Sequence, residues 1–153
     1  MNKTGLSDKK CILIADDDVD DREMIKAAFD ESGLVYPLCF VENGEELVQF
    51  LKRKGKYADD LKYPFPHIVL LDLNMPKKDG REALKEIKTD SELRTLPVVV
   101  LTTSTEENDI LKSYELGVNS YVIKPVTYKG LVEFTKVFQR YWLHISELPY
   151  ING

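Results

Sequence analysis

The residues with the chemistry to act together are Asp16 and Asp17, Asp72, Thr102 and Lys124. Each follows a short apolar run: CILIA before Asp16, IVLL before Asp72, VVVL before Thr102 and SYVI before Lys124. Runs of this kind read as parallel strands buried on both faces. A parallel sheet brings the C-terminal ends of its strands to one edge, where open α/β sheets bind ligands. Singly, each residue has a plainer reading. Asp72 is a turn residue, Asp16 to Asp18 a helix cap, Thr102 a strand end and Lys124 a surface charge. Jointly they make a cluster of carboxylates that repel one another and need a compensating cation. Oxygen-only ligands favour a hard ion, and carboxylates completed by waters suit Mg²⁺. Lys124 adds a second positive charge and Thr102 a hydroxyl donor. Such a site stabilises a charged oxyanion, for which a phosphoryl group is the natural candidate. Asp72 has the chemistry of a covalent acceptor, because a carboxylate can form an aspartyl phosphate.

The elements that must position these groups alternate along the chain. After the first strand, Asp18 or Asp20 caps a helix that Gly33 closes, with Met24, Ala28 and Phe29 facing the core. Leu34 to Val41 reads as a second strand, which Pro37 confines to an edge. Asn43-Gly44 turns into a helix with Leu47, Phe50 and Leu51 inward. The connection from Lys56 to Pro66 is long for this kind of fold. The central strand leads to a helix from Gly80 to Asp90, with Leu84 and Ile87 inward. The fourth strand leads to one from Thr105 to Gly117, with Ile110, Leu111 and Tyr114 on one face. The last helix spans Thr127 to Ile145, its stripe made by Leu131, Phe134, Phe138, Tyr141 and Ile145. Five β-α units with right-handed crossovers predict an α/β fold: a parallel five-stranded sheet with helices on both faces. The expected organisation is a flexible N-terminus at 1–9, one domain at 10–146 and a tail at 147–153.

Composition narrows the function classes. At 153 residues the chain fits one domain. A net charge of −5, with the lysines interleaved among acids, argues against a nucleic-acid-binding face. No run approaches the length of a membrane span and the polar start is unlike a signal peptide, which points to a cytoplasmic protein. Cys11 and Cys39 lie inside apolar runs and lack the partners of a metal site, so they read as buried free thiols.

Asp16-Asp17, the segment DLNMPKKDG from Asp72 to Gly80, Thr102, and Lys124-Pro125 resemble the receiver domain of two-component response regulators. The match runs from about Cys11 to Ile145. The resemblance implies a flavodoxin-like (βα)5 fold and a stand-alone signalling switch, not an enzyme. In it Asp72 takes a phosphoryl group from a sensor histidine kinase or a phosphotransfer protein. It further implies that Asp17, Asp72 and the backbone carbonyl of Asn74 hold Mg²⁺, with Asp16 reaching the ion through water. Lys124 would pair with a phosphoryl oxygen, and the Lys124-Pro125 peptide would be cis. Thr102 would move onto the phosphoryl group and Tyr121 would turn inward behind it, changing the face made by the fourth helix, fifth strand and fifth helix.

Thr103 is bulkier than the residue usual after the switch threonine, which implies restricted access to Asp72. The long loop at 56–66 and the ending YWLHISELP are similar to the receivers partnered with bacterial phytochromes. That likeness, with Tyr141, Trp142 and Tyr150, suggests a homodimer. The competing enzyme reading is a Mg²⁺-dependent phosphohydrolase with an aspartyl nucleophile. It needs a second acid two residues after the nucleophile, where this chain has Asn74, and an acidic pair late in the chain. A flavin-binding domain would need a Ser/Thr/Gly-rich phosphate loop where Asp16, Asp17 and Asp18 stand.

Overall fold

The computed structural model describes residues 11–151, so the expected flexible N-terminus and the last two residues of the tail lie outside the described residues. The apolar runs form parallel strands β1 (Ile12–Ala15), β2 (Leu38–Val41), β3 (Ile68–Leu71), β4 (Val98–Thr102) and β5 (Ser120–Ile123). They alternate with helices α1 (Val19–Glu31), α2 (Gly44–Leu51), α3 (Gly80–Thr89), α4 (Glu107–Leu116) and α5 (Tyr128–Phe138). The sheet order is β2-β1-β3-β4-β5, with all pairs parallel. The order reverses direction at β1, so β1 and β3 lie side by side and their C-terminal ends flank a crevice.

Alternation along each strand builds two cores. Leu13, Val69, Leu71, Val98 and Val100 pack with Leu47, Phe50, Leu84 and Ile87 of α2 and α3 on one face. Ile12, Ile14, Ile68, Leu70, Val99 and Leu101 pack with Ile25, Phe29, Leu131 and Phe138 of α1 and α5 on the other. The helix starts follow the side chains that satisfy their free N–H groups. Asp18 accepts from the amides of Asp20 and Asp21, Asn43 from Glu46, and Asp79 from Arg81 and Glu82. Of the two caps expected for α1, Asp18 holds the position.

Several local expectations are corrected. Ile25, not Met24, is the buried residue of the first turns of α1, and Met24 is exposed. On α4 the face of Ile110, Leu111 and Tyr114 is not a core face: Leu111 and Tyr114 are exposed, Ile110 is half-buried and Ser113 is the buried residue. An amphipathic pattern shows only that a helix has an apolar face, and here that face is left to solvent. The last helix is not one α-helix. At Gln139 it widens into a π-helical segment, Gln139–Ile145, which shifts the phase of the stripe. Leu143 is thereby turned into the core, while Tyr141 and Ile145 are exposed. The Lys124–Pro125 bond is trans, since the described residues contain no cis peptide. Trans is the lower-energy isomer of such a bond by about 0.5–1 kcal/mol. The lysine reaches its carboxylates without the cis form.

The long connection after α2 is ordered by its aromatic residues. A 3-10 turn at Gly55–Ala58 buries Tyr57, whose ring packs on Phe50 and Tyr63 with centroids 4.9 and 5.0 Å away.

Candidate functional site

The expected residues converge at the C-terminal edge of the sheet. Asp16 leaves β1, Asp72 leaves β3, Thr102 is the last residue of β4 and Lys124 follows β5. Asp16 and Asp72 are only 2% and 7% exposed, so each carboxylate needs protein partners. Lys124 provides them: its Nζ donates to Asp16 Oδ2 at 2.8 Å and to Asp72 Oδ2 at 3.0 Å. Thr102 Oγ1 donates to Asp72 Oδ1 at 2.8 Å, and the amide of Asn74 reaches the same oxygen at 3.2 Å. Both oxygens of Asp72 are therefore aimed by groups from other strand ends.

Asp17 behaves differently. It is exposed, and its carboxylate has no hydrogen bond or ion pair among the described residues. Yet Asp16, Asp17 and Asp72 each offer a carboxylate oxygen within 4.8 Å of the others. An all-oxygen set with one unpaired carboxylate at the rim fits a hard divalent cation. Burial raises Asp16 above the usual carboxylate value, against the lowering effect of its bond from Lys124. Burial pulls Lys124 down, but its bonds to Asp16 and Asp21 outweigh this and hold it above an ordinary lysine. The ammonium therefore stays charged beside the carboxylates.

Asp21, in the first turn of α1, also belongs to the site, though it was not among the expected residues. Its Oδ2 accepts from Lys124 Nζ at 2.8 Å. The available signal was its place in the first turn of the helix that directly follows β1, which keeps it near the same edge.

A second network, also unforeseen, lies beside the first. Arg81 at the start of α3 forms a two-pronged bond with Asp109 of α4, Nε to Oδ1 and Nη2 to Oδ2, both at 2.8 Å. It also reaches the Asn74 side chain at 3.4 Å. Asp109 accepts from Ser104 Oγ at 2.6 Å, and the carbonyl of Ser104 accepts from the Tyr121 hydroxyl at 3.0 Å. The arginine, with help from Ser104, holds Asp109 down at about 2. The loop after Asp72, the loop after Thr102 and the Tyr121 side chain are thus joined by polar contacts. Tyr121 is half-buried against the core, and Thr103, which follows Thr102, is exposed.

The position where a phosphohydrolase needs a second acid holds Asn74, whose side chain is engaged by Arg81. No observation favours that reading. No helix among the described residues is long and apolar enough to cross a membrane.

Comparison with known proteins identifies the family. Residues 12–136 match the model of the response regulator receiver domain. The chain is 39% identical over 140 residues to the response regulator Rcp1 of Synechocystis sp., covering 92% of this chain and 93% of that protein. Among solved structures it is similar to the phosphorylated cyanobacterial phytochrome response regulator RcpA, with TM-score 0.85, 40% identity and coverage of 92% and 99%. It is also similar to the Mn²⁺-bound form of Rcp1, with TM-score 0.83, 39% identity and the same coverage.

Proposed function

Because the chain belongs to the response regulator receiver family, whose members accept phosphoryl groups from histidine kinases, we propose that Asp72 is its phosphoacceptor. The observation that carries this is the convergence on one carboxylate: Lys124 holds Oδ2 while Thr102 and the Asn74 amide hold Oδ1. A carboxylate fixed in this way presents its lone pairs to a phosphorus atom approaching from the open side.

The divalent cation is Mg²⁺ in this reading, held by Asp17, Asp72 and the Asn74 carbonyl with Asp16 in support. When bound it supplies charge that offsets the phosphoryl oxygens. Lys124 supplies a second cation to the same oxygens. Phosphorylation adds about −2 of charge beside Thr102. Thr102 then exchanges its bond to Asp72 for one to the new group. The Ser104 loop moves with it and Tyr121 gives up its present acceptor and turns inward. The readout face is that of α4, β5 and α5, where Leu111, Tyr114, Ile123 and Val137 are exposed. The kinase partner is of the phytochrome-associated type, consistent with the relatives named above. A groove of about 500 Å³ lined by Val122, Phe134, Phe138, Tyr141 and Trp142 suits a homodimer contact.

The decisive experiment is labelling with a small acyl phosphate, wild type against Asp72→Asn. Labelling of the wild type alone, abolished by a chelator and restored by Mg²⁺, is the expected result. Equal labelling of both proteins would overturn the assignment.

A further inference from the structure

Cys11 and Cys39 lie toward the N-terminal ends of β1 and β2, at the opposite edge of the sheet from the acidic pocket. Leu13 pairs with Cys39, and Cys11 shares the face of Leu13, so the two thiols meet diagonally across the strand pair. Their sulfurs are 3.4 Å apart, with the Cys11 S–H donating to Cys39. Cys11 is fully buried, whereas Cys39 is partly open on an edge strand. Burial alone makes a thiol inert. A second thiol in contact with it does not.

Arg53 provides a second, independent feature. It holds a left-handed backbone conformation, φ 58°, at the end of α2, where a residue with a Cβ is uncommon. Its guanidinium lies 5.8 and 5.9 Å from the ring centroids of Phe50 and Phe65, and its Nη2 is bonded to Asp60 and to the carbonyl of Tyr63. Its Nε and Nη1 are buried with no hydrogen-bond partner among the described residues. The hydrogen bond from Cys11 lowers the Cys39 thiol, burial opposes this, and the charge of Arg53 lowers it further. Cys11 moves the other way, through its bond to Cys39 and its burial.

We propose that Cys11 and Cys39 form a dithiol oxidised by hydroperoxides, with Cys39 as the attacking sulfur and Cys11 as the resolving one. In the first step the Cys39 thiolate attacks the peroxide oxygen. An S–O bond forms and the O–O bond breaks. The departing hydroxide or alkoxide takes up the proton that Cys39 released. Sulfur loses two electrons to the peroxide and becomes a sulfenic acid. In the second step Cys11 sulfur attacks Cys39 sulfur, the S–S bond forms and the S–O bond breaks. The hydroxyl then leaves as water with the Cys11 proton. Closing the gap from 3.4 Å to a bond of about 2.0 Å requires the strands to shift. β2 is four residues long and is paired along one side, by β1. Shifting it disturbs one ladder where an interior strand would disturb two.

The test treats the reduced full-length protein with hydrogen peroxide and follows intact mass and peptide mapping under denaturing, non-reducing conditions. The wild type should lose two hydrogens, yield a cross-linked Cys11–Cys39 peptide within one chain, and recover on adding dithiothreitol. Cys11→Ser should leave a sulfenic acid that dimedone traps at Cys39, and Arg53→Met should slow the reaction. Two unreacted thiols, a cross-link between chains, or dimedone trapped at Cys11 in Cys39→Ser would each overturn the proposal. Should a variant fail to fold by circular dichroism, the wild-type cross-link decides alone.

Discussion

Lys124 concentrates the electrostatics of the site in one atom, since its Nζ bonds Asp16, Asp21 and Asp72 together. Removing the ammonium leaves two buried carboxylates without a cation, and a broken buried pair is more costly than a missing surface one. Lys124→Met should therefore destabilise the metal-free protein by about 3 kcal/mol, read from urea unfolding at neutral pH. Asp21→Asn removes a contact at the rim and should have a much smaller effect in the same measurement. Thr103 tests access instead of charge. It is exposed and directly follows Thr102, whose hydroxyl holds the acceptor, so Thr103→Ala should raise the rate of labelling by a small phosphodonor, and an unchanged rate would sink the steric reading. The residues whose convergence was legible in sequence are those that end apolar strands, because strand direction alone brings them together. Asp21, Arg81 and Asp109 were missed because they act from helices, and their meeting depends on how the helices rest on the sheet.

Helix starts carry the second level of control. Arg81 and Asp109 open α3 and α4, and their bond fixes one start against the other. The folded state holds Asp109 at about 2, below the usual carboxylate value of about 3.9, so the bond stabilises the fold fully above that usual value. The contribution is lost as pH falls from about 4 toward about 2. Asp109→Asn should thus cost about 1 kcal/mol at pH 7, and its deficit against wild type should shrink over that acid range in urea titrations. Gly80 tests the other side of α3. A Cβ there would collide with the backbone carbonyl of Asp72, a rigid group, so Gly80→Ala should cost about 3 kcal/mol or fail to fold. Thermal unfolding would show it as a lowered midpoint. The identity and order of the helices were legible in the chain, as were the inward residues of α2 and α3. The outward faces of α4 and the π-helical end were not. Periodicity reports an apolar side without saying what covers it, and it assumes a constant turn that Gln139–Ile145 does not keep.

At the scale of the whole molecule, stability is unevenly spread. The central strands β1, β3 and β4 are buried throughout, whereas α4 buries little more than Ser113. Amides of α4 should exchange with solvent faster than those of α3, a difference that hydrogen-exchange mass spectrometry would resolve and that equal protection would contradict. A loosely held α4 is suited to being re-set by events at Thr102, four residues before its cap. The sheet order itself has a consequence for survival in a crowded solution. Its outer strands, β2 and β5, present unpaired backbone that other chains could extend into aggregates. Both are four residues long; Pro37 directly precedes one, and Pro125 stands two residues after the other. A growing fibril would have little edge to template on. Association through strand edges is therefore disfavoured, which leaves the side chains of the helices as the surface open to partners.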